Sequence, residues 1–274
     1  MPAYCHRLVI GEAPHGKGFI CASVRSDEDD HDIFSHSPIY SAYRPRYPSS
    51  LFEQLATASP RRGTVWDCGT GNGQAAVGLA EHFARVYATD VNEQQIFLAF
   101  PHANVEYHVE PAHACSLQTE TADLVTVAEA LHWFNNDDFY EEVQRVSRRD
   151  GVFAAWSYGS CRVDPKLDSL IDYLKHNVLR DHWAKAASVD DVTLLHIPFR
   201  RISVQHLRME AIWSVDDFLG YLRSWSAVAA CVRKLGEDPI QEIERDARVR
   251  WGGHGTRTAS WPMALWVGEV HGKP

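Results

Sequence analysis

Seven consecutive residues, Asp67-Cys68-Gly69-Thr70-Gly71-Asn72-Gly73, carry the strongest chemical signal in the chain. Glycines let a backbone turn sharply and let a ligand lie directly on the main chain. A helix opening after such a loop presents unpaired N–H groups and a positive dipole end, which suit a carboxylate or phosphate. Asp90 follows about 20 residues on, at the end of the next strand, where a carboxylate can accept both hydroxyls of an adenosine ribose. Two ligand classes fit this pattern. A dinucleotide site wants a small residue three positions after the second glycine, and Gln74 stands there. The third glycine comes one position early instead, and an acid, Asp67, precedes the first. A glycine turn with no ligand does not explain acids at both expected places.

Other residue types could do chemistry nearby. His132-Trp133 follows the fourth predicted strand, at the carboxyl edge of the sheet, where open α/β folds bind ligands. The pair can face a substrate, or it can be a packed Trp beside a capping His. Arg44 sits between Tyr43 and Pro45, which hold it stiffly. Its planar guanidinium matches a carboxylate, and the plain alternative is a surface ion pair of little energetic worth. Trp225 and Ser226 fall on a predicted helix and either wall a substrate or pack in a core. Asp29-Asp30 and Asp190-Asp191 read as solvated charges. The fifteen histidines are dispersed, with no His-Glu-x-x-His and no His/Cys cluster, so no metal site is expected.

The elements that must hold these residues alternate. A short buried strand over 64–68 runs into the glycine loop, and a helix follows over 74–83. A second strand spans 85–90, a helix 92–100, a third strand 105–109 and a fourth 122–128. Asp137-Asp138 caps a helix over 139–147, residues 149–151 turn, and a fifth strand spans 152–156. Strand and helix alternating at this spacing predict a doubly wound parallel sheet with right-handed crossovers. After residue 160 the period changes. A helix spans 167–179, and 199–207 and 264–270 read as strands. Residues 1–31 read as a flexible leader. The rest, 32–274, reads as one domain with a helical insertion at about 208–255.

Composition sets the outer bounds. With 274 residues, 45% hydrophobic and 23% charged, the chain is an ordinary folded protein rather than a disordered one. It carries 27 Lys+Arg against 36 Asp+Glu, a net charge of −9. Such a surface repels nucleic acid and anionic lipid, and no apolar run approaches the length of a bilayer span. The six cysteines are scattered without a Cys-x-x-Cys pair, which points to the cytoplasm. The expected partner is a small molecule, with neither nucleic acid nor membrane.

The Asp-x-Gly-x-Gly-x-Gly form resembles motif I of class I S-adenosylmethionine-dependent methyltransferases. Tyr43-Arg44-Pro45-Arg46-Tyr47-Pro48, Ala128-Glu129-Ala130-Leu131-His132-Trp133-Phe134 and residues 213–226 extend the resemblance to the trans-aconitate methyltransferase-like, methyltransferase type 11 branch, over about residues 32–270. It implies a Rossmann-like α/β fold: a seven-stranded sheet, mostly parallel with the last strand antiparallel, helices on both faces and a helical lid insertion. It implies S-adenosyl-L-methionine as cofactor. Gly69, Gly71 and Gly73 would carry its methionine part, with Asp67 near the ammonium group. Asp90 would hold the ribose and Val91 would pack on the adenine. Ala112 and His113 stand where the family shows Ala-Glu or Ala-Asp beside the adenine amino group. Ala128 and Glu129 would lie under the cofactor, and Tyr43 or Arg44 would meet its carboxylate or the substrate. His132, Trp133, Trp225 and Ser226 would face the substrate, and His132 would be the catalytic base where one is needed. The function implied is methyl transfer to a small-molecule acceptor, at a carboxylate or hydroxyl oxygen. A non-catalytic S-adenosylmethionine-binding or scaffold protein and an NAD-dependent oxidoreductase are the rival readings. A nucleic-acid methyltransferase is disfavoured by the charge and by the absence of an Asn-Pro-Pro-Tyr-like tetrapeptide after the fourth strand.

Overall fold

The computed structural model describes residues 43–183, 191–202 and 204–272. The leader read over 1–31 and Asp190 lie outside the described residues. Strands β1 (Thr64–Cys68), β2 (Arg85–Asp90), β3 (Val105–Val109), β4 (Ala122–Ala128) and β5 (Ser147–Tyr158) form the parallel part of the sheet. β6 (Arg200–Arg201) and β8 (Arg257–Glu269) complete the order β3-β2-β1-β4-β5-β8-β6, in which β8 is antiparallel to both neighbours. This is the seven-stranded, mostly parallel sheet expected from the resemblance. An eighth strand, β7 (Arg208–Trp213), pairs with β8 off that path.

Alternating side chains explain why both faces are covered. Val65, Val86, Ala88, Leu124, Ala154 and Trp156 point to one face, where helices α1 (Ser49–Ala58) and α2 (Gln74–Ala80) pack through Leu51, Phe52, Leu55, Ala76 and Leu79. Trp66, Tyr87, Val125, Val127, Phe153 and Ala155 point to the other. There α5 (Asp137–Val146) packs through Phe139 and Val143, while α3 (Glu93–Phe97) and the single turn α4 (Leu131–Phe134) lie at the carboxyl edge of the sheet. Period-2 burial on both faces is what a doubly wound sheet requires.

The opposite edge of the sheet is pinned by a buried carboxylate. Asp123 accepts the main-chain N–H groups of Gly63 and Thr64 at 3.0 and 2.9 Å and faces Arg148 at 3.1 Å. Its role is structural, since it lies at the amino end of β4, away from the loop that follows β1.

Several boundaries differ from the sequence reading. Asn136, rather than Asp137-Asp138, caps α5 by accepting the Phe139 N–H at 3.0 Å. β5 begins at Ser147, taking in the expected turn over 149–151. Among the described residues of the strand expected over 199–207 only Arg200–Arg201 form a strand, and the insertion opens with a strand, not a helix. The reason lies in the alternation of 208–213: Met209 and Trp213 are buried, and Trp213 meets Trp261 of β8 edge-on at 4.8 Å. Beyond β7 the insertion is helical as expected, with α7 (Val215–Arg223), α8 (Ser226–Leu235) and α9 (Gln241–Trp251). The helix expected over 167–179 is α6 (Pro165–Tyr173), continued by a π-helical turn, Leu174–Val178.

Candidate active site

The loop between β1 and α2 is left-handed at all three glycines, with φ of 68° at Gly69, 55° at Gly71 and 82° at Gly73. The three do different work. A Cβ on Gly69 would meet the Ala130 Cβ at 2.7 Å, and one on Gly73 would meet the Tyr107 hydroxyl at 2.1 Å. Both positions are packed against protein. A Cβ on Gly71 would find only the Gln95 side chain, at 3.9 Å. Gly71 is therefore the place where the main chain lies bare, on the wall of a cavity of about 550 Å³.

Asp90 fixes that bare segment. It accepts the Gly71 N–H at 2.8 Å through one oxygen and the Asn92 N–H at 2.9 Å through the other. Asn92 in turn caps α3 by accepting the Gln94 and Gln95 N–H groups at 3.1 Å. A carboxylate has about four acceptor sites, so bracing the loop and meeting a ribose are compatible tasks.

Asp67 sits behind the loop and does not line the cavity. Its carboxylate accepts the Thr70 hydroxyl at 2.6 Å and the Thr126 hydroxyl at 2.7 Å. Burial pushes its pKa up to about 6, the two hydroxyl bonds pull back, and the Asp90 charge pushes further up. The place given to it near a ligand ammonium group is thus taken by a brace that ties the loop to β4.

The far wall comes from the ends of β4 and β5. Ala128, Glu129 and Ala130 line the cavity, followed by Trp133 and Phe134. Glu129 is left-handed at φ 57°, a conformation that costs a non-glycine residue about 1–3 kcal/mol. In that conformation its N–H donates to the Trp156 carbonyl at 2.9 Å and its carboxylate accepts the Tyr158 N–H. On the β3 side, Glu110 accepts the Tyr87 hydroxyl at 2.9 Å and the Ser116 N–H at 2.9 Å. Burial pushes Glu110 up, but the Ser116 and Tyr87 bonds outweigh it and hold the carboxyl below its ordinary range.

This geometry has recognisable relatives. Residues 66–155 match the family described as a methyltransferase domain. A Dictyostelium discoideum protein named as a methyltransferase is 32% identical over 221 residues, which cover 78% of this chain and 84% of that protein. A Saccharomyces cerevisiae protein named as an S-adenosylmethionine-dependent methyltransferase is 27% identical over 155 residues, 53% of each chain. A solved structure from Anaeromyxobacter dehalogenans, described as a type II methyltransferase, superposes with a TM-score of 0.78 at 42% identity, covering 84% of this chain and 99% of that one. The chain belongs to the S-adenosylmethionine-dependent methyltransferases.

In this methyltransferase the cavity gathers most, but not all, of the residues singled out from sequence. Arg44, Gly69, Gly71, Asp90, Val91, Ala112, His113, Ala128, Glu129 and Trp133 line it. Gly73 packs under Tyr107, and Tyr43 lies against Gly220 of α7. Trp225 is buried in the insertion, its ring tilted against that of Trp183 at 5.6 Å, and neither it nor Ser226 lines the cavity. His132 stands outside the lining as well, with its ring 5.2 Å from that of Trp133. Tyr47, Asn92, Gln95, Glu110, Phe134 and Tyr158 line the cavity without having been singled out. Asn92 had a usable signal, since it directly follows the Asp90 pair and opens a helix. Tyr158 had none, because only the β5 register brings it beside Arg44.

Proposed function

We propose that this methyltransferase binds S-adenosylmethionine across the Gly71 wall and transfers its methyl group to a small-molecule acceptor, at a carboxylate or hydroxyl oxygen. The carrying observation is the bare, left-handed Gly71 main chain, braced by Asp90 and facing the cavity. Within this reading Asp90 and Asn92 hold the ribose side. Val91 and residues 110–113 flank the adenine, and the walls from residues 69–72 and 128–130 enclose the methionine part. Bound donor supplies an activated methyl on a sulfonium, with the electron pair of the breaking bond returning to sulfur. The protein's task is alignment and exclusion of water. Trp133 and Phe134 provide aromatic faces that can add a cation–π contribution of about 0.5–2 kcal/mol.

A carboxylate acceptor is already ionised at neutral pH and needs no base. That choice agrees with His132 lying outside the cavity lining. His132→Gln is accordingly expected to change kcat less than threefold and to leave the pH profile unmoved. Steady-state rates from pH 6 to 9 check this. A fall of kcat by a hundredfold or more would favour a hydroxyl acceptor and a base.

Asp90→Ala is expected to weaken binding of the product S-adenosylhomocysteine by about 1.5–3 kcal/mol, the range for hydrogen bonds to a charged group. Isothermal calorimetry reads it directly, and unchanged affinity contradicts the assignment. The overall reading is tested by incubating the protein with isotope-labelled donor and metabolite extracts and identifying methylated products by mass spectrometry. Donor binding with no product from a broad acceptor panel would favour a scaffold, and a thermal shift with NAD(H) alone would favour an oxidoreductase.

The branch we assign is the trans-aconitate-like, type 11 one, supported by the 43–48 and 128–134 segments. We place the protein in the cytoplasm on the four buried free thiols among the described residues, Cys68, Cys115, Cys161 and Cys231. Among the described residues no helix is long and apolar enough to cross a membrane.

A further inference from the structure

The cavity is polarised across the sheet. In the order β3-β2-β1-β4-β5, Glu110 follows β3 and Asp90 ends β2, so both carboxylates sit on one side of the glycine loop. On the other side, beyond the end of β4, stands Arg44, the sole Arg or Lys among the described lining residues. Three of its contacts belong to that side. Nη1 donates to the Tyr158 hydroxyl at 3.0 Å, Nη2 donates to the Ser224 carbonyl at 3.2 Å, and the guanidinium lies 5.8 Å from the Tyr221 ring centroid. Tyr158 ends β5, while Ser224 and Tyr221 belong to the insertion. The segment 128–130, at and just after the end of β4, lies between this cluster and the loop over Gly71 in the strand order.

Tyr158 is itself held at both ends. Its main-chain N–H donates to the Glu129 carboxylate, and its ring meets Tyr47 edge-on at 6.3 Å. Glu129, the carboxylate on this side, is thereby turned towards the Tyr158 main chain. Tyr47, Trp133 and Phe134 supply apolar and aromatic lining. A planar guanidinium fork held at a fixed angle beside such walls recognises a carboxylate carried on an apolar body.

We infer that Arg44 and Tyr158 form the recognition subsite of the acceptor rather than of the donor, that Tyr158 is the positioning residue that aims Arg44, and that the acceptor is a small molecule bearing a carboxylate on an apolar or aromatic body. This inference rests on the donor reading given under the proposed function, and its test separates the two.

The test uses the full-length protein saturated with S-adenosylhomocysteine and two matched probe pairs: 3-phenylpropanoate against 3-phenylpropanamide, and hexanoate against hexanamide. Binding is read by ligand-observed NMR and by thermal shift. Wild type is expected to prefer each carboxylate over its amide by tenfold or more. Arg44→Lys and Tyr158→Phe are expected to lose at least that preference, with S-adenosylhomocysteine affinity within about twofold of wild type by calorimetry. Tyr158→Phe keeps the ring and the main-chain bond, so a folded variant is expected to melt within a few degrees of wild type.

Equal binding of acids and amides to wild type overturns the inference. So does a tenfold loss of S-adenosylhomocysteine affinity in Arg44→Lys with the acid preference retained, since Arg44 would then serve the donor. Failure of wild type to bind S-adenosylhomocysteine at all is a separate outcome: it overturns the donor reading, and the inference falls with it.

Discussion

Replacing Gly71 with valine is expected to weaken S-adenosylhomocysteine binding about 100-fold while the protein still folds. The magnitude follows from overpacking, which reaches about 3 kcal/mol when a branched side chain enters a filled space. In the proposed donor reading this space is filled by the bound ligand, whereas in the protein alone a Cβ at Gly71 meets nothing closer than Gln95 at 3.9 Å. The left-handed φ of 55° adds about 1–2 kcal/mol of strain to the folded state. Gly73 makes the control. Its Cβ would strike the Tyr107 hydroxyl at 2.1 Å, and that hydroxyl is committed to the Phe100 carbonyl at 2.8 Å. Gly73→Ala is thus expected to lower stability by about 2–4 kcal/mol, combining strain with the clash. Calorimetric titration and urea unfolding on both variants decide it. Gly71→Val binding the ligand as wild type does would remove the cradle from the account.

The second large effect concerns pH. The Asp67 carboxyl, pushed by burial up to about 6 from an ordinary 3.8, binds its proton more tightly in the folded state than in the unfolded one. Its contribution to stability is therefore fully present below about pH 4 and is lost as pH rises through about 6. At 1.36 kcal/mol per unit, ionisation removes about 3 kcal/mol across that window. Asp67→Asn cannot titrate. Breaking one of the two hydroxyl bonds should offset its curve by a constant amount without adding slope. Subtracting the variant's unfolding free energy from that of wild type, from pH 3.5 to 7.5, should give a falling curve with its midpoint between 4 and 6. A flat difference would mean that Asp67 is ionised as easily as an exposed acid.

These two predictions mark where the sequence was legible. The 67–73 loop and Asp90 could be read because the chemistry of a tight turn is local: the glycines, the preceding strand and the next strand end all fall within a short stretch. The first five strands themselves were legible for the same reason, since short, mostly apolar runs such as 122–128 are buried on both faces of a parallel sheet. What was not legible depends on register or on distant packing. Nothing within 43–48 indicates that Arg44 reaches Tyr158 and Ser224, because those partners are brought in by β5 and by the insertion. Asp67 and Asp90 look alike in sequence, yet one faces the cavity and the other is sealed behind Thr70 and Thr126. Trp225 has the composition of a substrate wall, but it packs against Tyr221 and Trp183 within the same hydrophobic core that covers one face of the sheet. The short strand Arg208–Trp213 was hidden because six residues of alternating burial can be assigned to a helix until a partner strand is known.

That partner, β8, has one further consequence. Its second half, from Met263 onward, ladders with β5 in the main sheet, while its first half, up to Pro262, ladders with β7 in the insertion. A single uninterrupted girder thus carries both the floor under the reaction and the structure that supports Arg44 from above. The insertion is cantilevered from the sheet and not hung on a hinge, so it cannot swing away as an independent door. Molecules should enter by the flanks. Exchanging residues 214–256 between relatives should therefore alter acceptor binding only through the support that Ser224 and Tyr221 give Arg44, while the cavity lining and the donor half are left intact.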